Sequence, residues 1–435
     1  MRKRIIIMTS MKKNKVVLGL SGGVDSTAAA LILKEKGYEV TGLYFDVFGG
    51  SAKSEEGRAK AETAAEQLGI KFIYRDLSDE FREKVIGNFC SEYSCGRTPN
   101  PCIVCNPGVK FRVLLETADR EGAQYIATGH YAGTYHDEAT DTWFIRRAAN
   151  ETKDQSYMLY RLGQEVVSRL LLPLNDVDDK EKIRDIARKN DMKNAEAKDS
   201  QEICFIEADD NYKDFLKRRG YETPEGDFVD AQGNVLGRHK GILNYTIGQR
   251  KGLGIALGKP AFVTAIDGMK NQVVLGDNDD LFKTEVCSSG NVMFGVRTDV
   301  APMEGSLEEG SPDVTKAETS GRVCTAGSDD QDESACAAGS GISDEMVCTA
   351  EDGGSVAGNG GGQVCQTIPD ELKAWLGDGI RAKIRYAAKP AEASVTLLDD
   401  GRIMASFSEP QRAPTPGQSI VFYKGDLVIG GGFID

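Results

Sequence analysis

The sequence predicts an α/β fold: an N-terminal parallel sheet with helices on both faces, then a small β-rich central domain, then a C-terminal β-barrel. Three observations predict it. From Lys15 to about Cys204, short apolar runs alternate with helical stretches, the pattern of a parallel sheet covered by helices. From about Glu207 to Asp277 the texture changes, with glycines at 226, 233, 237, 241, 248, 252 and 254 punctuating short segments. From Leu281 onward, five or so short strands separated by turns suggest a small barrel. At 435 residues two or three domains are expected, and the changes of texture divide them as 1–207, 208–278 and 279–435.

Val16 to Leu20 is an apolar run that reads as a buried parallel strand. It leads into Ser21-Gly22-Gly23-Val24-Asp25-Ser26, and Thr27 to Lys36 reads as a helix stopped by Gly37. At a strand–helix turn, two glycines let the backbone approach a ligand with its N–H groups inward, and the helix start adds partial positive charge. Ser21 and Ser26 add hydroxyls, and Asp25 can reach a metal ion, so the string forms a phosphate cradle. No Gly-Lys-Ser/Thr follows, so it is not a Walker A loop. The plainer alternative is a Gly-rich turn that binds nothing. Val40–Phe45 and Lys71–Tyr74 read as the next strands, with a helix over Glu55–Leu68 stopped by Gly69. A helix over Arg112–Arg120, ended by Gly122, precedes a strand over Tyr125–Thr128. In such sheets ligands sit at the carboxyl ends of the strands, where the Ser21 loop and the loops after Phe45 and Thr128 would meet. In the barrel region the strands are Gly379–Tyr386, Ala393–Leu398, Ile403–Phe407, Ser419–Tyr423 and Leu427–Ile429.

Apolar residues at 40% and charged residues at 28% are those of a soluble globular protein, and no run approaches a membrane span. The first residues hold a four-residue apolar stretch, Ile5 to Met8, soon followed by three lysines, so they read as no signal peptide and imply a cytoplasmic protein. The net charge of −14 argues against a non-specific nucleic-acid binder. Its location weakens that argument. Residues 301–367 hold thirteen acidic and two basic residues, a local net of −11, which leaves room for a basic face elsewhere. This stretch, about 297–367, is rich in Gly, Ser, Asp and Glu and reads as a disordered insertion into the last domain. A cysteine repeat of period twelve within it (Cys324, Cys336, Cys348) does not match common zinc spacings.

Ten cysteines in a cytosolic-looking chain point to thiol chemistry or metal more than to structural disulfides. Cys102 and Cys105 lie in a proline-fixed loop, Arg97 to Asn106, as a Cys-x-x-Cys pair. By itself the pair reads as a redox couple, half a zinc site or an accident; no second pair and no histidine pattern supports zinc. Cys204, in Lys198 to Ile206, reads either as a reactive thiol or as a buried core thiol.

Taken together these residues resemble the tRNA-specific 2-thiouridylases, within the pyrophosphate-loop ATP pyrophosphatases. The matching strings are Gly19 to Ser26, Gly96 to Asn106, Lys110-Phe111, Ala127 to Tyr131, Lys153 to Tyr157, Lys198 to Ile206, Tyr245 to Gly254 and Pro410 to Gln418. The resemblance implies an adenine nucleotide alpha hydrolase-like catalytic domain, a small central domain and a β-barrel. It implies ATP with Mg²⁺, a tRNA substrate, and sulfur carried as a persulfide from a donor protein, a cysteine desulfurase or sulfur relay protein. By this resemblance Gly19, Leu20, Ser21, Gly22, Gly23, Val24, Asp25, Ser26, Phe45 and Gly129 bind ATP. Asn100, Pro101 and Cys102 contact the target base, and Lys153, Asp154, Gln155, Arg385 and Tyr386 contact tRNA. Cys105 and Cys204 match the two catalytic cysteines. Cys102 stands where many members carry Asp, so a general-base role there would have to be met otherwise.

The implied chemistry is coherent. The C2 oxygen of uracil leaves poorly until it is adenylated, and a soft, low-pKa thiol is then needed to deliver sulfur. Two other readings remain open: another adenylating enzyme such as an amide synthetase, which would need no thiol pair, and a non-catalytic tRNA-binding protein, which would release no pyrophosphate.

Overall fold

The computed structural model describes residues 12–197, 203–206, 210–294 and 377–435. All belong to one compact unit, Met1–Val296 together with Gln363–Asp435. The acidic stretch, the extreme N-terminus and the Lys198–Glu202 part of the Cys204 string lie outside the described residues.

The first sheet holds strands β1 (Lys12–Gly19), β2 (Glu39–Asp46), β3 (Lys71–Asp76) and β4 (Ala123–Ala127). A hairpin follows, β5 (Gly133–Asp137) and β6 (Thr142–Arg146), and then the short β7 (Leu170–Leu171). The first sheet runs in the order β3-β2-β1-β4-β7, all parallel. Alternation along β1 divides its side chains between two cores. Val17 joins the core that holds Phe89, Val109 and Leu114, whereas Val16 and Leu18 join the core that holds Ala28, Leu33 and Ile183. Helices therefore cover both faces, as expected. They are α1 (Val24–Glu35) and α2 (Ala52–Leu68), then α3 (Ser78–Phe81) joined to α4 (Asn88–Ser94) by a π-helical turn, Arg82–Gly87. A second π turn, Asn106–Lys110, joins α5 (Pro101–Cys105) to α6 (Phe111–Glu121). After these come α7 (Gln164–Arg169), α8 (Lys180–Lys189) and α9 (Tyr212–Arg218).

The central region is a four-stranded sheet of β8 (Gly226–Val229), β9 (Val235–His239), β10 (Phe262–Asp267) and β11 (Gln272–Gly276), with its own core around Phe228, Val263 and Val273. The last region comprises β12 (Phe282–Met293), β13 (Ile380–Lys383), β14 (Ala391–Leu397), β15 (Ile403–Arg412), β16 (Ser419–Lys424) and β17 (Leu427–Ile434). They pair antiparallel in the order β12-β15-β14-β13-β16-β17, and β17 pairs back onto β12 to close the barrel. Closure removes the free edges that an open sheet would expose.

Two elements went unread in the sequence. β12 is the longest barrel strand, yet its half-exposed first residues mask its alternation. The hairpin β5–β6 leaves the first domain and adds to the barrel, with Ile145 opposite Val428 and Arg146 opposite Leu427. More bonds tie the two together. Tyr157 donates its hydroxyl to Ser419 O at 2.7 Å, Thr98 N–H donates to Pro416 O at 2.8 Å, and Gln418 Nε2 donates to Thr98 O at 2.7 Å. The Gly96–Asn106 and Pro410–Gln418 strings are thus the two sides of one seam.

Candidate active site

β1 ends at Gly19 and α1 begins at Val24, so the Ser21 loop occupies the strand–helix turn. Thr27 N–H to Gly23 O, 3.1 Å, is the first intrahelical bond, which leaves the N–H groups of Val24, Asp25 and Ser26 without helical partners. The hydroxyls of Ser21 and Ser26 lie 3.2 Å apart, and Ser26 donates to Gly23 O at 3.0 Å, fixing the turn. Gly22 has φ +76°, and a Cβ there would lie 2.7 Å from the backbone of Lys60 and Ala61 in α2, so only glycine fits. Asn194 donates to Gly22 O and Thr27 Oγ1, both at 2.7 Å. Leu20 N–H bonds Leu43 O across the sheet.

The neighbouring strand ends close on this loop. The Phe45 ring lies against Gly19, 3.1 Å from where a Cβ would stand. A Cβ on Gly129 would lie 3.0 Å from the backbone of Asp25 and Ser26, so the Thr128–Tyr131 loop packs on the cradle itself. The Tyr131 hydroxyl donates to Asp25 Oδ1 at 2.8 Å, and Lys180 Nζ donates to Oδ2 at 3.2 Å. Each oxygen keeps a lone pair, and the side chain is a third exposed. One partly open carboxylate beside a phosphate cradle suits Mg²⁺, which typically takes one or two carboxylates together with substrate phosphates.

The thiols come from α5 and from the Cys204 segment. Asn100 caps α5, accepting from Cys102 N–H at 3.1 Å, and Pro101 takes the first helical position, so both have local structural duties. Cys105 is buried and Cys204 is exposed; both are free thiols. Burial pushes the Cys105 thiol up to about 11; Lys110 opposes this, and Cys204 and Cys102 add to it. Cys204 is the exposed one of the two. Desolvation pushes its thiol up, and Lys110 and then Lys53 pull it down while Cys102 raises it. The three thiols and Lys110 thus act on one another electrostatically. At both thiols desolvation outweighs the nearby cations. Lys53 Nζ holds Cys204 O at 2.7 Å, and the buried Phe205 anchors the segment edge-on against Phe81 and Phe89. Desolvation, then Lys110, holds His130 down at about 3, so its ring is neutral; Nδ1 is hydrogen-bonded to Thr128 Oγ1 at 2.8 Å.

The barrel side contributes Tyr386. Its phenol is pushed up by burial, then by Asp154 and Cys102, which puts it beside the thiol loop. Arg385, next to it, is half-buried, as is Lys153. Asp154 does not reach outward as a tRNA contact would. It is 3% exposed and accepts from Ala148 N–H, Ser156 N–H and the Ser156 hydroxyl, with Arg147 at 3.5 Å. A carboxylate so occupied shapes its own loop. Gln155 likewise clasps Tyr131, accepting its N–H at 2.9 Å and donating its own N–H to Tyr131 O at 2.8 Å. Sequence reasoning missed Lys180, Asn194 and Lys53, which carry no local signal. Tyr131, His130 and Lys110 were legible only as members of matching strings.

A strand–loop–helix turn with open N–H groups at the edge of a parallel α/β sheet defines the class, a nucleotide-binding α/β protein. The chain belongs to the tRNA-specific 2-thiouridylase family. Family profiles match along it: "tRNA methyl transferase HUP domain" over residues 14–208, "tRNA methyl transferase PRC-barrel domain" over 213–277 and "Aminomethyltransferase beta-barrel domain" over 372–434. It is 38% identical over 432 residues to tRNA-specific 2-thiouridylase MnmA 1 of Clostridium botulinum, covering 97% of this chain and 99% of that one. It is 39% identical over 434 residues to tRNA-specific 2-thiouridylase MnmA 1 of Clostridium tetani, covering 98% of each. Among the described residues no helix is long and apolar enough to cross a membrane.

Proposed function

We propose that the chain is a cytoplasmic tRNA 2-thiouridylase that forms AMP. The C2 oxygen of the wobble uridine attacks the α-phosphate of ATP held at Gly19–Ser26, and pyrophosphate leaves. Asp25 would hold Mg²⁺ brought with ATP, which would neutralise phosphate charge. A persulfide on Cys204, loaded by a donor protein, attacks C2 through its outer sulfur, and AMP leaves with the C–O bond. Cys105 thiolate then attacks the inner Cys204 sulfur; the S–S bond to the base breaks, 2-thiouridine is released, and a Cys105–Cys204 disulfide forms. A two-electron thiol reductant restores the enzyme. Residues 1–207 carry this chemistry, while 208–278 and 279–435 grip the tRNA.

One observation carries the reading: of two consecutive residues, Gly129 packs on the phosphate loop and His130 stacks on Phe111, just past the turn that follows Cys105. Activation and sulfur delivery would then act on the same substrate base. The methyl transfer in the family profiles' description would give the thiol pair no task.

The test is incubation with ATP, Mg²⁺, a persulfide donor and total tRNA, followed by mass spectrometry of nucleosides. The expected product carries sulfur for oxygen. Cys105→Ser and Cys204→Ser should each abolish it, because a hydroxyl carries no persulfide, and Cys102→Ser should retain most turnover. A methylated product, or a fully active Cys204→Ser enzyme with a Cys102–Cys105 disulfide, would overturn the proposal.

A further inference from the structure

One cation is buried in the seam between the first domain and the barrel. On β13, Ile380 and Ala382 belong to the core, so Arg381 and Lys383 share the opposite, outer face. Arg381 is exposed there, as an outer barrel residue should be, but Lys383 is only 7% exposed. The Tyr157 segment of the first domain covers it. Lys383 Nζ lies 5.7 Å from the centroid of the Tyr157 ring and 5.4 Å from that of Tyr386, and the two rings are 6.3 Å apart. Among the described residues this ammonium makes no hydrogen bond and no ion pair. Asp154 acts on it from a distance, but the Asp154 oxygens are taken up by Ala148, Ser156 and Arg147. A lysine ammonium is strongly hydrated and has three donors, so burying it with none of them used is costly. The two rings return part of that cost. A methionine would cover the same rings without it, so the charge itself points to an anion.

We propose that Lys383 is a binding site for one phosphodiester of the tRNA backbone, with its ammonium between the Tyr157 and Tyr386 rings as the anchor. Arg385 and Tyr386 follow it in the chain and are half-buried, so both reach the surface beside it. A cation flanked by aromatic rings, with a second cation close by, is how proteins hold single-stranded nucleic acid: the cation takes a phosphate and an open ring face takes a base. A wobble uridine lies in a single-stranded loop. ATP is the less suited occupant, because the open N–H groups of Val24, Asp25 and Ser26 already serve its phosphates. The inference rests on the tRNA reading of the protein, and its test is a binding measurement that needs no sulfur transfer.

Binding of total tRNA to the full-length protein is measured across a salt series, with ATP binding measured alongside. In Lys383→Met the tRNA affinity should fall several-fold at low salt. The slope of log K against log salt should flatten by about 0.7, the share of one phosphate on a single strand. ATP affinity should not change. Lys383→Arg should keep the wild-type slope, since arginine also carries its charge over aromatic rings. Lys36, exposed at the far end of α1, is the control, and Lys36→Met should change nothing. A folded Lys383→Met protein with unchanged affinity and slope would overturn the proposal. Lost affinity at an unchanged slope would also overturn it, by assigning the side chain to packing, as would weakened ATP binding with normal tRNA binding. If the methionine variant does not fold, Lys383→Gln carries the same comparison with the same outcomes. A wild-type protein that binds no tRNA would overturn the tRNA reading together with this site, whereas normal wild-type binding beside an unaffected methionine variant would overturn the site alone.

Discussion

Single residues in this protein are set by what surrounds them more than by what they are. Asp46 ends β2 beside the phosphate site and is fully buried. Its carboxylate accepts from the hydroxyls of Ser54 and Tyr74 and from the N–H groups of Phe48 and Gly49. Burial alone would raise its pKa, but these four donors outweigh it, and the folded-state value lies below the ordinary one. A group whose folded value is depressed stabilises fully above its unfolded value and loses that contribution as pH falls through the folded one. Asp46→Asn should therefore cost about 1–3 kcal/mol in urea unfolding at neutral pH. The gap from wild type should narrow only below the ordinary carboxylate range, about pH 4. A gap that stays constant as far down as both proteins remain folded would contradict this. Cys105 and Cys204 show the reverse case: desolvation raises both thiols against the pull of nearby lysines.

At the level of elements, the decisive feature is the seam between the first domain and the barrel. Tyr157 and Tyr160 are fully buried and both meet Ser419: Tyr157 through a hydroxyl that donates to its carbonyl and accepts its N–H at 3.2 Å, Tyr160 through the side-chain hydroxyls at 3.0 Å. Tyr157→Phe keeps the ring and removes the bonds. Leaving buried partners unmatched should lower stability by roughly 1–3 kcal/mol. Because this seam also carries Tyr386 toward Cys102, thiolation should fall as well, without loss of ATP binding. An unchanged urea midpoint would show that the seam is held elsewhere. The strand and helix limits near the cradle were legible because apolar runs and stop glycines are local signals; Gly37, Gly69 and Gly122 do end helices with φ of +84°, +61° and +63°. The π turns were not legible, since no residue pattern distinguishes them from α-helix.

For the whole molecule, charge is unevenly distributed. Residues 301–367 carry a net −11 of the chain's −14. Replacing 301–366 with a short Gly/Ser linker should leave thiolation near normal and raise tRNA affinity at low salt. The gain should shrink as salt screens it. Loss of all activity in a folded deletion protein would assign the stretch a role in the chemistry.

The sequence by itself determined the three-part architecture and the strand–loop–helix turn at Ser21. Each of these is written in local periodicity, turn chemistry or a contiguous string. Only the tertiary structure decided that Asp154 turns inward, that Lys180 and Tyr131 hold Asp25, and that β5–β6 joins the barrel. These depend on pairings between segments up to hundreds of residues apart. Which partner a buried charge or a strand edge finds is a property of the packed molecule, and no local stretch of sequence contains it.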